Sequence, residues 1–137
     1  MRNIKLVLEY DGRRYKGWQR QTTTKSTVQG RIEHILQLMT GEKIELHGSG
    51  RTDTGVHALG QVANFHTQSK KVLSEIEDYL HKYFPEDINL LDIQEMPERF
   101  HARLNAKGKT YLYQIWNHPF KKNVFKKLCN KKINFIK

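Results

Sequence analysis

Between positions 48 and 58 the chain runs Gly48-Ser49-Gly50-Arg51-Thr52-Asp53-Thr54-Gly55-Val56-His57-Ala58, which gathers glycines, one guanidinium and one carboxylate in a short space. A scaffold presents reactive groups to a ligand on loops of this kind, so Asp53 and Arg51 are candidates for chemistry. Two plainer roles fit the same residues. Asp53 can form an Asx turn with a solvated carboxylate, and the backbone around Gly48 and Gly50 can form an anion-binding nest. The segment read by itself leaves all three open.

A second group of residues lies upstream. Arg13, Arg14, Lys16 and Arg20 alternate with Tyr10, Tyr15 and Trp18. The cations can hold phosphates, giving affinity that depends on salt but little on sequence. The aromatic rings can stack on bases or pack the loop, and for Trp18 packing is the preferred reading. His47, His57, His66 and His101 lack the helical spacing or the supporting thiolates of a metal site, so no metal is expected.

These groups need a fold to hold them, and the composition allows one. The chain has 137 residues with 37% apolar content, which suits one compact domain or one followed by the start of another. Lys and Arg outnumber Asp and Glu by 24 to 14, a formal charge of +10 that favours polyanionic partners, nucleic acid foremost. The single cysteine, Cys129, excludes an internal disulfide and a zinc site with two or more thiolates. There is no signal-like apolar stretch at the start and no run of membrane-span length, so the expected location is cytoplasmic.

Residues 3–10 alternate, with Ile4, Leu6, Leu8 and Tyr10 on one side, as a half-buried strand requires. Ser26-Thr27-Val28-Gln29 has capping-box spacing ahead of a helix carrying Val28, Ile32, Ile35, Leu36 and Met39, closed by Gly41. Residues 43–47 read as a second strand and 61–67 as a third, with the glycine-rich loop between them. Val72, Ile76, Tyr79, Leu80 and Tyr83 mark a second helix that stops before Pro85, and 88–93 a fourth strand. The order β-α-β-β-α-β predicts an α+β ferredoxin-like sandwich, with two helices on one face of an antiparallel sheet and the other face free for a partner. A fifth strand, 110–116, carries Tyr111, Tyr113 and Ile115 on one side.

Four stretches together resemble the TruA-type tRNA pseudouridine synthases. The longest is Gly50-Arg51-Thr52-Asp53-Thr54-Gly55-Val56-His57-Ala58, followed by Gly60-Gln61-Val62 and Phe65. The others are Glu9-Tyr10-Asp11-Gly12 with Tyr15 and Gly17-Trp18-Gln19-Arg20-Gln21, then Phe100-His101-Ala102-Arg103, then Lys109-Thr110-Tyr111-Leu112-Tyr113. The resemblance implies conversion of uridine to pseudouridine in the tRNA anticodon arm, at positions 38 to 40, without metal or cofactor. It implies Asp53 as a covalent nucleophile, either at ribose C1′ or on the pyrimidine ring. Arg51 would fill the space of the extruded nucleotide and Tyr111 would pack against the uracil. Arg13, Arg14, Lys16, Arg20 and Arg103 would touch RNA. Homodimers are the family's assembly.

The resemblance covers residues 4 to about 117 and divides the chain into a ferredoxin-like catalytic domain at 1–97 and the start of a second domain at 98–117. Residues 118–137 hold seven lysines and no acid. This tail reads as disordered or aberrant, departing from the family's continuation, and the chain as truncated relative to the family. A non-catalytic RNA-binding fragment is the competing reading.

Overall fold

The computed structural model describes residues 1–112 and 132–136. Strand β1, Arg2–Tyr10, buries Ile4, Leu6, Leu8 and Tyr10 on one face, following the alternation in its sequence. Helix α1, Val28–Thr40, buries Val28, Ile32, Ile35, Leu36 and Met39 against that face. Removing each of these side chains from water contributes roughly 1.5–3 kcal/mol.

The helix start differs from the expected capping box. Thr27 is the N-cap, its hydroxyl accepting from Gly30 N at 3.2 Å. Gln29 is drawn away by tertiary contacts: its Nε2 donates to the Leu46 carbonyl at 2.9 Å, and its Oε1 accepts from Arg20 N at 2.7 Å. The first-turn N–H groups of Val28 and Gln29 donate to the carbonyls of Gly17 and Trp18. Gly41, at φ 72°, closes the helix in the left-handed region where a Cβ would be strained.

The second strand is also shorter than expected. Only His47–Gly48, strand β2, pairs in the sheet. Ile44 and Leu46 are buried as the alternation demands, but side chains of α1 satisfy the backbone here. Glu33 accepts from Leu46 N at 2.9 Å, and Gln29 holds the Leu46 carbonyl. Strand β3, His57–Thr67, starts four residues earlier than expected, inside the glycine-rich segment. Helix α2, Leu73–Tyr83, gives way at Phe84 to extended backbone before Pro85, and it buries Ile76 and Leu80. Strand β4 is Ile88–Met96.

The sheet runs β4-β1-β3 with β2 on the far edge of β3, all antiparallel, and the two helices lie on one side. This is the ferredoxin-like order. The opposite face is not left open as the sequence suggested. Residues 97–105 fold back over it, and Phe100 and Ala102 pack with Val7, Val56 and Val62. Buried Asn3 and Asn64 stitch this segment down. Asn3 Nδ2 donates to the carbonyls of Pro97 at 3.0 Å and Phe100 at 2.8 Å, and Asn64 Oδ1 accepts from Ala102 N at 2.8 Å. Polar residues on the solvent side of a strand thus become the anchors of a covering layer.

Strand β5, Gly108–Leu112, covers the start of the expected fifth strand, while 113–116 lie outside the described residues. Within the lysine-rich end, Lys132–Ile136 forms strand β6, antiparallel to β5 and parallel to the His57 end of β3. That segment was expected to lack regular structure. Ile133 and Phe135 alternate with Lys132 and Asn134, a short period-two pattern that the lysines obscure. Residues 118–131 lie outside the described residues.

Candidate active site on the loop from residue 49 to 56

The loop between β2 and β3 is fixed from three sides. On the sheet side, Ser49 N donates to the Val62 carbonyl at 2.8 Å and buried Gln61 Nε2 donates to the Gly50 carbonyl at 2.8 Å. On the core side, the buried hydroxyls of Tyr10 and Thr52 share a hydrogen bond of 2.9 Å. Burial pushes the Tyr10 phenol well above its ordinary pKa, with the Thr52 bond opposing, so it stays protonated.

The third side is the segment from Asp11 to Trp18. Trp18 N donates to the Thr52 carbonyl at 3.1 Å and Gly55 N to the Tyr15 carbonyl at 3.2 Å. Glycines make this approach possible. A Cβ at Gly12 would stand 1.9 Å from the Val56 oxygen, and one at Gly17, where φ is 91°, would stand 2.6 Å from the Thr52 oxygen. Trp18 is buried, stacks with Tyr10 at 6.1 Å between ring centroids, and covers Gly48 so closely that no Cβ fits there. Tyr10, Tyr15 and Trp18 are therefore packing residues.

Against this rigid frame the chemistry-bearing ends are exposed. The Asp53 carbonyl accepts from Val56 N at 3.2 Å, but its carboxylate makes no hydrogen bond or ion pair with any described residue. Arg51 is exposed and forms no ion pair with Asp53. The loop thus holds its backbone and leaves the Asp53 and Arg51 side chains unengaged by any described residue.

The other candidates fall into two sets. Arg13 is paired with Asp11, Arg14 with Asp87 at 2.8 Å, and Arg20 with the buried carboxylate of Glu33 at 2.7 Å. Lys16 and Arg103 are exposed without such partners among the described residues. Arg51 and Arg103 line one cleft, together with His47 and His101. Tyr111 stands in β5 opposite Ile133 of β6, in the strand pair that joins β3 on the edge adjoining the loop. Gln61, Thr52, Asn64 and Glu33 were not singled out as positioning residues, because a polar side chain buried by tertiary contacts looks like a surface residue in the sequence.

Comparison with known proteins decides the family. A family model described as tRNA pseudouridine synthase matches residues 6–105. The chain belongs to the tRNA pseudouridine synthase family. Similar synthases include tRNA pseudouridine synthase A of Bacillus sp. (strain KSM-64), 54% identical over 88% of this chain and 51% of that protein. tRNA pseudouridine synthase A 2 of Bacillus cereus (strain ATCC 14579) is 48% identical over 98% of this chain and 56% of its own length. tRNA pseudouridine synthase A 1 of Clostridium tetani is 50% identical over the same shares. The chain spans about half the length of the curated relatives it matches. The last two alignments take in most of the residues after Asn117, where the sequence alone suggested a departure from the synthase pattern. Among the described residues, no helix is long and apolar enough to cross a membrane.

Proposed function

We propose that this chain carries the nucleophile of a cytoplasmic tRNA pseudouridine synthase, which isomerises uridine to pseudouridine in the anticodon arm at positions 38 to 40. The observation that carries the reading is Asp53 itself: its backbone is clamped on a loop held by buried side chains, while its carboxylate meets no donor among the described residues. Hydrogen bonds to a carboxylate stabilise the charged form and would have to be given up on attack, so an unpartnered oxygen is the more reactive one.

The isomerisation breaks the bond from uracil N1 to ribose C1′ and rejoins the base through C5. The C5 proton passes to solvent and N1 gains one, so substrate and product have the same composition. Asp53 forms a transient covalent bond, at ribose C1′ or on the pyrimidine ring, and that bond breaks again to return the carboxylate once C5 has joined C1′, while the site retains the base. Arg51, exposed two residues before it, takes the space of the extruded nucleotide. Tyr111 packs against the uracil. Lys16 and Arg103 have charge to spare for RNA, whereas Arg13, Arg14 and Arg20 must first leave their carboxylates. The assembly is a homodimer.

The test is release of tritium from unmodified tRNA labelled at uracil C5. The native chain is expected to release it, and Asp53→Asn to lose release while binding tRNA as tightly, since the carboxylate repels phosphate. Equal release by the variant would remove Asp53 from the chemistry. Binding without release by either would favour a basic RNA-binding module, which the charge of +10 also fits.

A further inference from the structure

We propose that the cleft at the sheet edge beside β2, where Arg103, His47 and His101 converge next to Arg51, holds a backbone phosphodiester of the RNA strand flanking the reacting nucleotide. The proposal takes its substrate from the reading above. The cleft has a volume of about 250 Å³, and Gln19, Gln29 and Glu45 also line it.

Charge points to an anion. Arg2, Arg13, Arg14 and Arg20 are each answered by a carboxylate. Arg31, Arg51, Arg99 and Arg103 are not, among the described residues, and of these Arg51 and Arg103 share this cleft, where Glu45 is the one lining acid. Two guanidinium groups against one carboxylate leave a positive site beside the loop that carries Asp53.

The imidazoles add preorganised donors. The rings of His47 and His101 lie 4.7 Å apart at 38°. His101 Nδ1 accepts from Arg103 N at 3.1 Å, which places the ring proton on Nε2 and makes that atom a donor. The turn is locked: His101 N donates to Asn105 Oδ1 at 2.8 Å, and Ala102 N to buried Asn64 of β3 at 2.8 Å. Burial, with His47, Arg103 and His66 nearby, holds His101 below its ordinary pKa and so neutral near pH 7. An anion among these groups offsets the charge contribution to that depression, while burial, its main cause, remains.

The position fits a strand rather than an isolated ion. Arg51 belongs both to the cleft and to the segment bearing Asp53, so a nucleotide delivered to Asp53 brings its neighbouring phosphate to the same place.

The test is binding of unmodified tRNA by fluorescence anisotropy across a series of salt concentrations. Arg103→Gln is expected to weaken binding several-fold and to reduce the slope of log affinity against log salt by about 1, and Arg103→Lys to restore the slope. Lys82→Gln, on helix α2 and outside the cleft, is the control and should match the native chain. A native slope in Arg103→Gln, with tritium release still dependent on Asp53, overturns this proposal and leaves the functional reading standing. Loss of inorganic phosphate binding in Arg103→Gln with an unchanged tRNA slope assigns the cleft to free phosphate instead. A native chain that binds no tRNA overturns both.

Discussion

Tyr10 does two things with one side chain. Its ring packs beside Trp18 in the core, and its hydroxyl meets Thr52 next to Asp53. The sequence marks the ring as a packing or stacking group, but the hydroxyl bond joins residues 42 positions apart and has no local signature. Tyr10→Phe keeps the packing and strands the buried Thr52 hydroxyl, which should cost about 1 to 2 kcal/mol. Urea unfolding should show this as a lower midpoint at an unchanged slope. Gln61 shows the same limit of legibility. Its place in a strand was expected, but its tie to the Gly50 carbonyl depends on how closely the loop folds against that strand. Asp53 and Arg51, by contrast, were candidates because they share one contiguous glycine-rich segment, and that segment carries both side chains exposed.

Helices and long strands were legible because each carries its periodicity in its own residues. The shortfalls came at element ends, where a neighbouring element supplies the missing hydrogen bonds. Gln29 and Glu33 of α1 satisfy the backbone at Leu46, so a segment with strand-like alternation has no need of a strand partner there. The short 3₁₀ turn Gly12–Arg14 is another such end. Asp11 caps it by accepting from Arg13 N, and also binds the Arg13 guanidinium. The Arg13 side-chain bond is the main cause holding the Asp11 carboxyl below its ordinary value of 3.8; burial opposes it, and the Arg13 N–H and the charges of His57 and Arg13 add to it. A depressed folded pKa stabilises the fold fully above the unfolded value and ceases to do so as pH falls through the folded one. Asp11→Asn retains the cap oxygen and removes the charge. Its unfolding midpoint should lie below the native one at neutral pH, and the two should converge as pH drops below 3.8 toward the lower folded value.

At the scale of the whole molecule, the described residues form a sheet with helices on one face and residues 97–105 over part of the other, so β1 and β3 are buried from both sides. The second layer has no local signature: Asn3 and Asn64 are lone polar residues in strands, and only the return of the chain from Pro97 makes them buried anchors. The clamp between residues 12–18 and 49–56 belongs to this scale as well, since it joins the first loop of the chain to the segment ahead of β3. Its backbone bonds and close glycine contacts leave the loop no way to swing out without also exposing Trp18 and Tyr10. Opening should therefore be a rare excursion that carries much of the core with it. In deuterium exchange, the amides of Trp18 and Gly55 should be protected nearly as long as that of Leu6 in β1, and rapid exchange at those two sites alone would show a loop that breathes by itself. On the proposed reading, a backbone mounted in this way would hold Asp53 as a fixed post, and the RNA would have to do the bending.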